Sequence, residues 1–251
     1  MIDLKPWGEI NTQVCEGADV CVMGVPFDGA VSCGKGTALA PEMIRNLSRY
    51  LPPTTEEGLI FDGLKVYDSG DVAIDLDWPR YYATVEDEAL KLMQSKAFCL
   101  FLGGDHSVTI PLHRAFGRYN KGRKIGVIHF DSHSDICDEY DGHKWSHACT
   151  EKRTVDDVIS PGDLSLVGIR SWETEEIEYL NTHPEVLLIK AYDIHKNGYR
   201  YVWEKLKEKY SSYDAVYFTL DIDVLDPSCA PGTGTPEAGG LTSRELLETV
   251  K

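Results

Sequence analysis

The sequence predicts an α/β protein, a three-layer α-β-α arrangement with a mainly parallel central sheet. Two observations predict it. Short apolar runs alternate with longer amphipathic segments along the chain, the pattern of strand–helix units that build parallel sheets. Clusters of acidic and imidazole side chains follow three of those runs, and parallel sheets bind ligands beyond the carboxyl ends of their strands.

The strand-like runs are 19–24, 97–102, 124–130, 164–168, 186–190 and 215–220. Each is short and apolar enough to cross a covered sheet once. Helical patterns lie near 41–50, 82–95, 108–119, 173–180 and 199–210, where apolar residues recur at three- and four-residue spacing. The Gly/Pro-rich stretch 227–240 reads as a long loop, because Thr242 and Glu245 then have the capping-box spacing ahead of Leu246 and Leu247. The chain reads as one domain, 1–251. It stops at Lys251 before that last helix leads into another strand, so the C-terminal end reads as one that can be incomplete.

With 251 residues and 42% hydrophobic content, the chain can bury one sizeable core. The balance of 25 basic against 41 acidic residues, a net charge of −16, argues against nucleic acid or anionic membrane as partner. It suits a cationic substrate, although most such acid simply keeps a protein solvated. Seven cysteines without a CxxC pair argue against a zinc knuckle or disulfide framework. The segment Met1–Trp7 has no basic, apolar leader pattern, and no apolar run reaches membrane-spanning length, so a cytoplasmic location is expected.

The chemistry is carried by the strand ends. Asp131, His133 and Asp135 alternate after one run, and Asp221 and Asp223 after another. Alternate residues of an extended chain face the same way, so each run aims its donors at one point. His106 follows a third run through Gly103 and Gly104, which let the backbone turn sharply. Four carboxylates gathered in one place are costly unless cations neutralise them. Oxygen-rich donors with few imidazoles and no thiolate favour manganese or a similar ion over structural zinc. Each cluster alone is commoner as a solvated turn or cap. Their joint occurrence at strand ends points to a site for two divalent ions.

GGDHS at 103–107, FDSHSD at 130–135 and TLDIDVLDP at 219–227, followed by APGTGTPEAGGL at 230–241, strongly resemble the ureohydrolases, the family of arginase, agmatinase and their relatives. Residues 24–28, 34–45, 68–72 and 167–171 resemble further segments of that family. The resemblance implies an arginase-like fold and a ureohydrolase that cleaves a guanidinium group to urea and an amine. It implies two Mn2+ ions per chain, held by His106, Asp131, His133, Asp135, Asp221 and Asp223, with Asp135 and Asp221 bridging. In that picture a manganese-activated hydroxide attacks the guanidinium carbon, and Asp135 is counted among the catalytic residues. His147 matches the family's loop histidine that shuttles a proton to the leaving amine. The match is partial, since His-Ala-Cys-Thr stands where H-G-x-P is commoner, and a surface loop histidine is the competing reading. His129, on the strand before the motif, reads as a core residue or one behind the ligands.

The loop after Asp135 decides the expected substrate. Family members that hold an α-carboxylate carry an asparagine there, whereas this chain has Cys137 followed by Asp138, Glu139 and Asp141. Acidic side chains repel a carboxylate and suit an amine. The expectation is hydrolysis of agmatine to putrescine and urea, a step of polyamine metabolism. Guanidinobutyrase, arginase and a non-catalytic metal-binding paralogue are the alternatives. A deacetylase-like hydrolase with one zinc is a further one, which the full D-x-H-x-D triplet disfavours. The family also implies a homo-oligomer, trimer or hexamer, and a substrate-binding glutamate on a strand past Lys251. Glu237 reads as a brace for its loop.

Overall fold

The computed structural model describes residues 5–251, so the first four residues of the N-terminal segment considered above lie outside the described residues. The chain divides into two compact units, Met1–Gly29 with Lys35–Ala115, and Ala30–Gly34 with Phe116–Lys251.

In the first unit, β1 (Asn11–Thr12), β2 (Val20–Val25), β3 (Val66–Asp71) and β4 (Phe98–Gly103) form a parallel sheet in the order β1-β3-β2-β4. Helices α1 (Ala40–Ser48) and α2 (Trp78–Met93) connect its strands, and α3 (Thr109–Tyr119) follows β4. Pro79 stands in the first turn of α2, and Asp77 caps that helix by accepting from the Arg80 N–H at 3.0 Å. The β2 strand is almost wholly buried, as its apolar sequence requires.

The β3 strand is absent from the apolar pattern because half of VYDSGD is polar. Its carboxylates are satisfied by tertiary partners instead. Asp68 accepts from Arg45 at 2.7 and 2.9 Å and from the Trp7 indole at 2.7 Å, and Arg45 also bonds Asp71. Burial would raise the Asp68 carboxyl, but the hydrogen bonds from Arg45 and Trp7 outweigh it and hold the group below its ordinary range.

In the second unit, β5 (Ile125–Phe130), β6 (Leu164–Ile169), β7 (Leu187–Lys190) and β8 (Ala215–Leu220) form a parallel sheet in the order β7-β6-β5-β8. All six β6 residues are buried, the signature of a strand covered on both faces. Leu164, Leu166 and Ile169 pack with Val127 and Ile136, while Phe130, Val167 and Ile189 pack with Val202 and Leu241. Each such side chain contributes about 1.5–3 kcal/mol by leaving water. The edge strand β8 is different: Val216, Phe218 and Leu220 are exposed on alternate positions.

Helices α4 (Thr150–Asp157), α5 (Thr174–Thr182), α6 (Ala191–Asn197), α7 (Tyr199–Tyr210) and α8 (Ser243–Val250) complete this unit. The α8 capping box stands where the sequence places it, with Thr242 and Glu245 exchanging bonds. Helix α4 carries no apolar period. Its start is secured by the Asp135 carbonyl, which accepts from the Glu151 and Lys152 N–H groups at 2.8 and 3.1 Å. The pairing predicted to be parallel is parallel between all named strands, and helices flank it, as the α/β reading requires.

Gly168 interrupts β6 with a register shift at φ +94°, and a Cβ there would lie 2.6 Å from the Val224 side chain and 3.0 Å from the Asp131 carbonyl oxygen. Gly168→Ala is therefore expected to cost at least about 2 kcal/mol, through backbone strain and overpacking together. Urea denaturation checks it; an unchanged midpoint refutes the account. Asp68, depressed in the fold, contributes stability that is complete above its unfolded pKa and is lost as pH falls through the folded one. Wild type should then lose stability below about pH 4 more steeply than Asp68→Asn, with the two compared by denaturation at pH 3 and pH 7.

Candidate metal centre

The second unit brings the two carboxylate motifs together at the carboxyl ends of β5 and β8. The Asp131 N–H donates to the Val167 carbonyl at 3.0 Å and the Asp221 N–H to the Phe130 carbonyl at 2.8 Å, so the neighbouring strands set both turns. Asp131, His133 and Asp223 then offer donor atoms that all lie within 4.8 Å of one another. His133 Nδ1 lies 3.4 Å from Asp131 and 3.2 Å from Asp223. Within the same unit, Asp131 and Asp135 also present ligand atoms within 4.8 Å of each other and of His129. Asp135 reaches this place with φ +51°, a left-handed conformation that aspartate tolerates better than most residues.

Asp221 stands at the same strand end, and its carboxylate Oδ1 caps the Asp223 N–H at 3.0 Å. His106 belongs to the first unit, buried in the one-turn helix His106–Val108 beyond β4. Asp105 caps that turn by accepting from the Ser107 N–H at 3.0 Å.

Burial and charge are in tension here. Asp131, Asp135 and Asp223 are almost inaccessible to water. Burial pushes the Asp223 carboxyl up, and the Asp131 charge beside it pushes the same way, against the relief from His133. Burial would lower His133, yet its bonds to Asp131 and Asp223 drive it up to about 11. The pocket demands compensating positive charge. A donor set of carboxylates and imidazole without thiolate is the set that divalent ions accept, so the residues fit a metal.

His129 is held behind the cluster. Its Nδ1 faces Glu151 at 3.0 Å, and its Nε2 faces the His133 carbonyl at 3.0 Å and Asp131 at 3.3 Å. A carbonyl and carboxylates only accept, so both ring nitrogens carry hydrogens. Burial works against that state, but Asp131 and Glu151 raise the group to about 10. His129 thus orients donors, in keeping with its place before the motif.

Several residues support the cluster, and of these Ser132, Glu176 and Glu151 were not singled out from the sequence as doing so. Ser132 donates from its N–H and its hydroxyl to the Asp223 carboxylate at 3.0 and 2.8 Å. Glu176 of α5 accepts the Ile136 N–H at 3.1 Å, fixing the loop after Asp135. Arg170, within the 167–171 motif, donates to the carbonyls of Asp223 at 2.7 Å and Glu237 at 2.8 Å, joining β6 to both loops. Glu237 braces its loop through Ser171 at 3.0 Å. Glu151 could have been found only by recognising α4, whose sequence does not announce a helix.

His147 lies in the one-turn helix His147–Cys149 ahead of α4, its Nδ1 2.7 Å from the Ala30 carbonyl oxygen. Of the three acids in the loop after Asp135, one is paired. Asp138 is paired with Arg153 at 2.6 Å, Lys144 at 3.4 Å and Lys152 at 3.7 Å, and Arg153 holds its carboxyl below the ordinary range. These cations offset the Asp138 charge, and Cys137 beside it is buried.

Comparison with known proteins agrees with this construction. A model of the arginase family matches residues 18–251. An agmatinase from Bacillus anthracis is 36% identical over 243 residues, covering 94% of this chain and 78% of its own length. A guanidinobutyrase from Pseudomonas aeruginosa is 31% identical, with 94% of this chain and 75% of that protein covered. The solved agmatine ureohydrolase of Thermoplasma volcanium superposes with a TM-score of 0.86 at 30% identity, over 100% of this chain and 82% of that one. Strand-end motifs, a buried Asp/His cluster and these likenesses converge: the chain belongs to the arginase family.

Proposed function

We propose that this chain, acting as one ureohydrolase domain, hydrolyses agmatine to putrescine and urea. The observation that carries the reading is the Asp131–His133–Asp223 cluster beyond the strand ends, its two carboxylates buried, in a chain similar to agmatinases at 36% identity. Asp131, His133, Asp135, Asp221 and Asp223 are proposed as ligands of two Mn2+ ions, and His106 joins them on its 103–107 motif alone. When bound, such ions supply Lewis acidity that makes water nucleophilic at neutral pH and draws charge from the guanidinium. The remaining work falls to side chains. The carboxylates would offset the charge of the ions, and the capped turns hold them in place without reorganisation during reaction. Water oxygen adds to the guanidinium carbon, the bond to the alkyl nitrogen breaks, and His147 gives the departing amine its proton.

The substrate is drawn as a small guanidino cation, and the protein as a cytoplasmic homo-oligomer, trimer or hexamer, by similarity to the family. Among the described residues no helix is long and apolar enough to cross a membrane. A guanidino acid is the second reading, favoured by one observation: Asp138, one of the three acids of the loop after Asp135, is paired with Arg153, Lys144 and Lys152, which lessens that loop's repulsion of a carboxylate.

Urea release after loading with Mn2+ decides between them, with agmatine, arginine and 4-guanidinobutyrate in parallel. Agmatine should give the highest kcat/KM, and Asp223→Asn should abolish turnover. Preference for 4-guanidinobutyrate or arginine would overturn the substrate but keep the class; silence on all three would overturn the enzyme. Glu151→Gln should leave the circular dichroism unchanged and weaken Mn2+ binding about 10–100-fold in calorimetry, because Glu151 acts through the His129 that steadies Asp131. Unaltered affinity would remove Glu151 from the metal centre.

A further inference from the structure

Residues Ala30–Gly34 belong to the same compact unit as His147, and they hold its ring from two sides. On one side is the Ala30 carbonyl oxygen, 2.7 Å from Nδ1. A carbonyl can only accept, so the hydrogen of that contact sits on Nδ1. Ser146 Oγ is also near Nδ1, at 3.3 Å, but a hydroxyl donating to a bare Nδ1 would leave the ring lone pair facing the Ala30 oxygen. In a neutral ring the lone pair therefore belongs to Nε2. Ser32 Oγ lies on that other side, 3.4 Å from Nε2.

The ring has little freedom to turn away. Tyr140 meets it edge to face, with centroids 5.9 Å apart and planes at 73°. The loop that carries Ala30 and Ser32 is itself seated against the 227–240 stretch at backbone level. A Cβ on Gly234 would come within 2.7 Å of the Cys33 carbonyl oxygen. A glycine at 234 thus lets the two loops approach, and the approach places Ser32.

We propose that the Ala30 carbonyl and the Ser32 hydroxyl hold His147 as the Nδ1–H tautomer, which makes Nε2 the atom that handles the leaving-group proton and Ser32 its positioning residue and relay. The inference rests on the reading of His147 as proton donor in guanidinium hydrolysis. The protons balance without a co-reactant. As the bond between the guanidinium carbon and the alkyl nitrogen breaks, the Nε2 proton passes to that nitrogen and the ring becomes the neutral Nδ1–H form. Ser32 Oγ then gives its hydrogen to Nε2 and takes one from the water whose oxygen has gone to carbon. Water is split into the oxygen now on urea and the hydrogens now on the amine and the ring.

The tautomer can be read without turnover. In the metal-free full chain with nitrogen-15 histidine, the His147 ring, identified by its loss in His147→Asn, should show a hydrogen-bearing Nδ1 and a bare Nε2. That is the reverse of the form histidine prefers in solution. In the Mn2+-loaded enzyme, Ser32→Ala should lower kcat roughly tenfold with KM little changed, a part of the ~10²–10⁴ that acid–base catalysis contributes. Ser32→Thr, which keeps the hydroxyl, should restore kcat. A hydrogen on Nε2, or a Ser32→Ala enzyme with wild-type kcat, would overturn the proposal while His147→Asn still loses activity. Full turnover in His147→Asn would instead overturn the shuttle reading, and this proposal with it.

Discussion

Negative charge buried at the carboxyl ends of β5 and β8 is the constraint on which the rest of the site depends. Asp131 and Asp223 are almost fully buried beside His133, which lies 3.2 Å from one and 3.4 Å from the other. Removing carboxylates from water costs several kcal/mol each unless they are paired and hydrogen-bonded. The surroundings meet that cost in a consistent way. Ser132 gives Asp223 two donors, Asp131 caps the His133 N–H at 2.7 Å, and Asp221 caps the Asp223 N–H. What these bonds do not supply is net positive charge, which is the property a divalent ion brings.

The framework behind the cluster is stiff for reasons visible in the packing. The wholly buried β6 lies beside β5 and fixes the height of Asp131 through the Val167 carbonyl. From its end, Arg170 reaches the carbonyls of Asp223 and Glu237. A guanidinium presents several donors in a rigid plane, so one side chain ties the Asp223 turn to the long Gly/Pro-rich loop. The Asp135 carbonyl performs the complementary service, securing α4 and with it Glu151, the partner of His129. Ligand loop, helix start and supporting imidazole form one connected set of bonds.

Charge in the loop after Asp135 follows a different balance. The loop after Asp135 is rich in acid, but acid in sequence is not charge in space. Asp138 is cancelled by Arg153 and two lysines that the chain brings back from α4 and the intervening turn. That pairing offsets one of the loop's three acids. The similarity to both agmatinases and a guanidinobutyrase is consistent with a site whose guanidinium chemistry is shared and whose far end is tunable.

The sequence by itself determined the class of fold and three of the clustered side chains, Asp131, His133 and Asp223. Alternating apolar and amphipathic segments marked six of the strands, and the α8 cap was legible as Thr242 and Glu245 because capping is local chemistry. Asp131, His133 and Asp223 were legible as polar residues that follow apolar strands directly, but strand alternation does not gather them: Asp223 sits in a one-turn helix capped by Asp221, and Asp135 is left-handed. Tertiary structure alone decided the rest. The polar strand β3 exists because Arg45 and Trp7 satisfy Asp68. Helix α4 starts because the Asp135 carbonyl meets it, Arg170 clamps carbonyls 53 and 67 residues away, and the proton of His147 is assigned by a carbonyl 117 residues distant. Periodicity encodes which face a residue shows; it does not encode which distant group will meet it there.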